Sequence, residues 1–327
     1  MAGPRRAAVL GHPIAHSLSP SLHRAAYEAL GLAGWRYEAV DVTSDELPGF
    51  VAALDDEWAG LSLTMPLKHA VLPLLDHVEP LAEVVGAVNT VLVQRSGRGR
   101  TLVGANTDVY GLVAALREGL RSRAARAELA SPGQPHVHDE PARAAQPHAH
   151  DEPAGPGHRP AHDEPTRAAV LGGGATAAST LAALAELGVT APTVYVRSAG
   201  RSGALVRAAH RMGVEPVLRT FDKALSELAG YDFVVATLPP HAADALATDA
   251  LGAHEHLLAP VHGVLLDVAY DPRPTALASA WVARGGVAVG GERLLLHQAA
   301  EQVRLMTGHP APLAAMERAL AAALGSA

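Results

Sequence analysis

The residues able to do chemistry gather at a few short places in this chain. Four polar clusters precede residue 110: His16-Ser17-Leu18-Ser19-Pro20, Ser62-Leu63-Thr64-Met65-Pro66-Leu67-Lys68, Gly86-Ala87-Val88-Asn89-Thr90 and Asn106-Thr107-Asp108. Together they supply hydroxyls, carboxamides, a lysine and a carboxylate. Such a set offers donors for an anionic group and hydrogen-bond partners for hydroxyls. Ser17 and Ser19 lie just before a helix expected from about Pro20, where hydroxyls, backbone N–H groups and the helix dipole all favour an anion. The plainer reading is that one of them caps that helix. Buried partners for ligand hydroxyls also enforce specificity, because a ligand lacking them leaves the site's polar groups unsatisfied.

A second chemistry is written in Gly172-Gly173-Gly174-Ala175-Thr176-Ala177. This Gly-x-Gly-x-x-Ala run follows an apolar strand (168–171) and opens an Ala-rich helix that ends at Gly188, the context that gives such a loop meaning. Gly172 permits the tight turn, Gly174 lets backbone approach a pyrophosphate, and Ala177 allows helix to pack closely on sheet. Ala175 begins the helix whose N-terminus faces the phosphates. An NAD site usually has an acid at the end of the next strand, for the ribose 2′-hydroxyl. Here that strand ends Val196-Arg197-Ser198-Ala199-Gly200-Arg201, with no acid and two arginines. Guanidinium groups match a 2′-phosphate by charge and forked donors, so NADP (NADPH) is the expected cofactor unless Arg197 and Arg201 merely stand on a solvated loop.

The elements that must position these residues alternate. Strands are expected at 6–11, 37–42 and 60–64, with helices at about 20–30, 46–54 and 67–75. Further strands are expected at 193–196, 233–236 and 264–268, and a helical stretch at 294–325 interrupted near Pro310 and Pro312. Strand–helix alternation indicates an α/β fold with mainly parallel sheets, whose ligands bind at the carboxyl ends of strands. With 327 residues the chain has room for two domains, and it carries no cysteine, which excludes disulfides, thiolate catalysis and cysteine metal sites. A net charge of −7 lacks the basic footprint of a nucleic-acid binder. The opening apolar run is too short for a signal peptide and no stretch reaches the length of a membrane span, so a cytoplasmic protein is expected, with neither nucleic acid nor membrane as partner.

Residues 131–166 break the pattern. They hold 8 of the 24 prolines and 6 of the 18 histidines, and His-Asp-Glu-Pro recurs from His138, His150 and His162. Frequent proline with almost no large apolar side chain predicts a disordered insert between two structured segments. Nothing fixes its His/Asp pairs in space, so no metal site is assigned.

The four clusters, in this order and followed by Gln298, make the chain resemble the shikimate dehydrogenase family over nearly all its length apart from the insert. The resemblance implies NADPH-dependent reduction of 3-dehydroshikimate to shikimate in chorismate and aromatic amino-acid biosynthesis. The alternatives are an NAD-dependent quinate/shikimate dehydrogenase and a catalytically silent cofactor-binding paralogue. By the resemblance Ser17 and Ser19 hold the substrate carboxylate, Thr64, Asn89 and Gln298 bind its hydroxyls, and Tyr270 lines the site. Thr237 and Gly291 are expected near the cofactor. Lys68 and Asp108 are the expected catalytic pair: ketone reduction puts negative charge on oxygen, and a lysine held protonated by a carboxylate can donate to it. In the reverse direction Lys68 must lose its proton, which favours oxidation at alkaline pH.

The resemblance also implies two α/β domains: a substrate domain over 1–107 completed by helices in 291–327, and a Rossmann-like cofactor domain over 108–290. The small-molecule substrate would meet the nicotinamide in the cleft between them, in a monomer or homodimer. Several positions depart from the family's commoner pattern. Ser62 stands where asparagine is frequent, Ala105 where aspartate often is, Val196 where the cofactor strand commonly has asparagine, and Leu294 where methionine is usual.

Overall fold

Two six-stranded sheets organise the chain, each with its own apolar pattern. In this computed structural model, which describes residues 5–96, 99–130, 166–250 and 260–325, the first sheet contains β1 (Arg5–Gly11), β2 (Trp35–Asp41), β3 (Trp58–Leu63), β4 (His77–Val78), β5 (Thr90–Ser96) and β6 (Gly99–Ala105). Its strand order is β2-β1-β3-β5-β6-β4. The second contains β7 (Ala168–Leu171), β8 (Thr193–Val196), β9 (Val217–Thr220), β10 (Phe233–Ala236), β11 (Val264–Asp267) and β12 (Val287–Gly290). Its order is β12-β11-β10-β7-β8-β9, all parallel. That is the 3-2-1-4-5-6 order of dinucleotide-binding sheets, with its switch point between β7 and β10. The expected disorder of the insert concerns residues that, Thr166 apart, lie outside the described ones.

The helices are α1 (Ser19–Ala29), α2 (Leu47–Ala52), α3 (Leu67–Ala70), α4 (Pro80–Val85), α5 (Asp108–Ala130), α6 (Ala175–Glu186), α7 (Gly203–Arg211), α8 (Phe221–Glu227), α9 (Ala276–Ala283), α10 (Gly291–Thr307) and α11 (Leu313–Ala323). Every residue of β7, β10 and β11 is buried, as helices on both faces of a parallel sheet require. Leu112 and Leu116 of α5 and Leu181 and Leu184 of α6 cover one face; Leu277 and Trp281 of α9 cover the other. On the first sheet Leu47 and Val51 of α2 pack over Leu10 and Leu61. Across from them α1, α10 and α11 join through Leu22, Ala26, Leu296, Val303, Met316 and Leu320. Among the described residues no helix is long and apolar enough to cross a membrane.

Two local features depart from the sequence expectation. The first sheet is mixed, because β5 and β6 form an antiparallel hairpin that also pairs β5 antiparallel to β3. The helix expected over 67–75 is cut to α3 plus a 3-10 turn at Leu72–Leu74. Pro73 has no N–H for the helical ladder, so the turn cannot continue as α-helix.

The hairpin and α5 set up the site. Thr90 pairs with Ala105, so Asn89 and the Asn106-Thr107-Asp108 run leave the sheet side by side. Helix α5 begins at Asp108 and runs against α10. At their closest approach a Cβ on Gly111 would sit 2.8 Å from Leu294 Cδ1 and 3.0 Å from the Gln298 backbone nitrogen, so only glycine allows this spacing. Farther along, Arg293 of α10 forks onto Glu118 of α5 with two 2.7 Å bonds, a geometry suited to carboxylate.

Candidate active site

All six residues expected to hold substrate line one cavity of about 310 Å³: Ser17, Ser19, Thr64, Asn89, Tyr270 and Gln298, together with Lys68 and Asp108. They converge from five places. The loop after β1 and the start of α1 bring the serines, and the end of β3 with α3 brings Thr64 and Lys68. The hairpin and the start of α5 bring Asn89 and Asp108. The segment after β11 brings Tyr270, and α10 brings Gln298. Asp108 is the one carboxylate and Lys68 the one lysine or arginine among the described residues lining this cavity.

Lys68 Nζ donates to Asp108 Oδ2 at 2.6 Å, with the two side chains only 15% and 7% exposed. Shielded from water, the pair is a charge-assisted bond rather than a loose surface contact. The other carboxylate oxygen, Oδ1, accepts from Asn89 Nδ2 at 2.8 Å. Asn89 is itself pinned: its Oδ1 accepts from the Thr107 N–H at 2.8 Å and Thr90 Oγ1 at 2.9 Å, and its Nδ2 also reaches Gln298 Oε1 at 3.3 Å. Ser19 is buried and its N–H donates to Ser17 Oγ at 3.4 Å. Neither serine caps α1 through its side chain, since Leu18 occupies the N-cap with no side-chain bond. Burial raises the Tyr270 phenol above its ordinary value, with the nearby Asp271 charge adding to it, so Tyr270 presents a neutral hydroxyl.

A second cavity, of about 570 Å³, runs along the carboxyl ends of β7, β8 and β10 and shares Thr64, Lys68 and Thr176 with the first. Gly172, Gly174, Ala175, Arg197, Arg201 and Thr237 all line it. Gly172 has φ +115°, and a Cβ there would meet Thr237 Oγ1 at 2.5 Å; only glycine serves. Gly174 stands at the N-terminus of α6 with open space where a side chain would project, a cradle for a backbone-bound phosphate. Ala177 is fully buried and sits under the helix, not in the groove. Arg197 and Arg201 make no ion pair with any described carboxylate, and among the described residues no acid lines this groove. The donor set fits a dinucleotide with an extra phosphate on its ribose. Thr237 also has a structural task, donating to the Leu171 carbonyl at 2.9 Å. Gly291 lies on the first cavity, where any Cβ would collide with the Val268 carbonyl.

The sequence reading singled out neither Gln302 nor His23 and Tyr37 behind it. Gln302 lines the first cavity while buried to 1% exposure. A signal was present: Gln302 lies four residues after Gln298, on the same face of one helix, as His23 lies four after Ser19.

The chain is similar to known proteins over most of its length. Residues 9–91 match the shikimate dehydrogenase substrate binding domain, and residues 291–321 the shikimate 5'-dehydrogenase C-terminal domain. A shikimate dehydrogenase (NADP(+)) of Thermosynechococcus vestitus is 33% identical over 319 residues, 97% of this chain and 95% of that protein. The crystal structure of Mycobacterium tuberculosis shikimate dehydrogenase superposes with a TM-score of 0.73 at 36% identity, covering 98% of this chain and 100% of that one. A Thermus thermophilus shikimate 5-dehydrogenase, in complex with NADP(H) and shikimate, gives 0.70 at 31% identity over 98% of this chain and 99% of its own.

Proposed function

The chain belongs to the shikimate dehydrogenase family, and we infer that it catalyses the NADPH-dependent reduction of 3-dehydroshikimate to shikimate, a step of aromatic amino-acid biosynthesis. The observation that carries the reading is the Lys68–Asp108 pair, set where the two cavities meet. Bound NADPH supplies the hydride. Lys68 gives a proton to the ketone oxygen as it gains negative charge, and Asp108 holds the ammonium in place. Ser17 and Ser19 take the ring carboxylate at the start of α1. Thr64, Asn89 and Gln298 hold the ring hydroxyls, with Tyr270 closing the far side. Gly172, Gly174 and Ala175 cradle the pyrophosphate, Ala177 packs α6 onto the sheet beneath it, and Arg197 and Arg201 hold the 2′-phosphate. Thr237 and Gly291 line the nicotinamide end.

We assign residues 1–107 and 291–327 to the substrate domain and 108–290 to the cofactor domain, an assignment supported by the two separate sheets. The same reading takes the protein as a cytoplasmic enzyme, monomeric or homodimeric, whose small-molecule cleft is formed within one chain. The test is shikimate-dependent reduction of NADP+ and NAD+ followed side by side at a wavelength where the reduced nicotinamide absorbs, with quinate as second substrate. Turnover with shikimate and NADP+ is expected. Preference for NAD+ or quinate overturns the biosynthetic reading, and a folded, cofactor-binding but inert protein overturns the enzymatic one.

A further inference from the structure

Behind Asn89 stands a row of buried polar side chains for which the reaction as described has no use. Gln302 is at its centre. Its Oε1 accepts from Ser62 Oγ at 2.8 Å and faces His23 Nε2 at 3.2 Å. Its Nε2 donates to Thr90 Oγ1 at 3.0 Å and reaches the Asn89 backbone carbonyl at 3.4 Å. Upstream, the Tyr37 hydroxyl donates to Ser62 Oγ at 2.7 Å. Downstream, Thr90 Oγ1 donates to Asn89 Oδ1 at 2.9 Å, and Asn89 Nδ2 donates to Asp108 Oδ1 at 2.8 Å. Every donor points the same way, from Tyr37 to the carboxylate that holds Lys68.

This polarity has a consequence for Asn89. The two ends of a carboxamide are alike in shape, so partners alone decide which way it faces. Asn89 turns its NH2 toward Asp108 because the Thr107 N–H and Thr90 Oγ1 both donate to its oxygen. Thr90 is free to do this only while the group behind it is a donor. With Gln302 reversed, an oxygen would face Thr90, whose proton would turn to it and leave the Asn89 oxygen to the Thr107 N–H alone. The Asn89 backbone carbonyl, which can only accept, faces the Gln302 amide nitrogen and opposes that reversal, and Ser62 and the His23 ring take the complementary places at Oε1. Serine at position 62 thus serves as a relay, accepting from Tyr37 and donating to Gln302.

We propose that Gln302 is a positioning residue: held in one orientation by the Asn89 backbone carbonyl, Ser62 and His23, it fixes Thr90 and, together with the Thr107 N–H, the Asn89 carboxamide that faces Asp108 and the substrate. The inference rests on reading the cavity as the shikimate site. Two variants test it. Gln302→Met keeps length without polarity, and Gln302→Glu keeps the acceptor for Ser62 and His23 while removing the donor to Thr90. Shikimate oxidation by NADP+, shikimate affinity by calorimetry and thermal melting are measured on each.

Both variants should lose on the order of 10-fold or more in kcat/KM for shikimate, with the KM for NADP+ unchanged. In the double variant Gln302→Met/Asn89→Ala the loss should be no greater than in Asn89→Ala alone, because Gln302 acts through Asn89. A merely structural Gln302 would lower the melting temperature and add its full loss to that of Asn89→Ala; that outcome overturns the inference, as does Gln302→Met with wild-type kcat/KM. Should Gln302→Met not fold, Ser62→Ala, which frees the Gln302 amide with a smaller change, carries the same comparison with Asn89→Ala. A wild-type protein that neither binds nor oxidises shikimate overturns the reading of the site and this inference with it. A wild type that does both beside an unaltered Gln302→Met overturns this inference alone.

Discussion

His23 should make the first sheet acid-sensitive, and the size of the effect follows from its surroundings. The ring is fully buried, stacked on Tyr37 with centroids 3.9 Å apart and planes 13° apart. Its Nε2 faces Gln302, and its Nδ1 has no partner among the described residues. Protonation would place a second N–H where no acceptor stands. Burial therefore pushes the pKa of His23 down from 6.5 to about 3, the bond to Gln302 offsetting only part of the effect. Between those values the unfolded chain binds a proton that the folded chain refuses, so stability is complete above pH 6.5 and falls as the pH drops. Each pH unit in that window costs about 1.4 kcal/mol, hence about 2 kcal/mol at pH 5 and about 3 kcal/mol at pH 4. The perturbation is His23→Phe, which keeps a ring on Tyr37 but cannot titrate. Urea unfolding of both proteins at pH 7 and pH 5 is followed by tryptophan fluorescence, Trp35 and Trp58 lying in strands of the same sheet. Groups common to both proteins cancel in the comparison. The wild type should lose about 2 kcal/mol more than the variant between these pH values. Parallel losses would refute the reasoning and show that His23 charges without leaving the fold.

Three further outcomes follow from the site. Lys68→Ala should keep shikimate binding while turnover falls by on the order of 10²-fold or more; unchanged turnover would remove Lys68 from the chemistry. Arg197→Ala and Arg201→Ala should each raise the KM for NADP+ by about 10-fold while altering that for NAD+ little, since a guanidinium–phosphate bond is lost only with the phosphorylated ribose. Equal changes for the two cofactors would place both arginines outside the 2′-phosphate site. Gly111→Val should push α5 from α10, costing about 1–3 kcal/mol of stability and lowering kcat/KM for shikimate, because Asp108 and Gln298 sit on opposite sides of that contact. Wild-type melting and kinetics in this variant would show that the helices part without disturbing the pair.

How much of this was legible in the sequence depends on how local each cause is. Strands β7, β8 and β10 match the sequence reading to the residue, because each is a short continuous apolar run between polar or glycine breakers, and burial on both faces demands that pattern. The hairpin of β5 and β6 was not seen. Its connection, Ser96-Gly97-Arg98-Gly99, carries no Asn-Gly or Asp-Gly pair to announce a tight turn. The helix ends at Ala70 for a different reason: the apolar spacing of 67–75 continues past Pro73, but the missing N–H there breaks the ladder that the spacing suggests.

The same distinction separates the two layers of the site. Lys68, Asn89 and Asp108 stand in short motifs whose chemistry is carried by residue type, and the fold brings them to one cavity. Gln302 could not be found that way, since its partners Ser62 and Thr90 lie 240 and 212 positions distant. Its role also depends on a quantity no residue string contains, the direction in which each proton is donated. A glutamine is both donor and acceptor, so its type alone permits either orientation of its own carboxamide. Only the fold, by setting the Asn89 backbone carbonyl and Thr90 on one side and Ser62 and His23 on the other, chooses between them. For that reason Ser62, which from sequence is only a departure from the family's usual asparagine, acquires a reason once Gln302 stands beside it: a hydroxyl can accept from Tyr37 and donate onward through one atom.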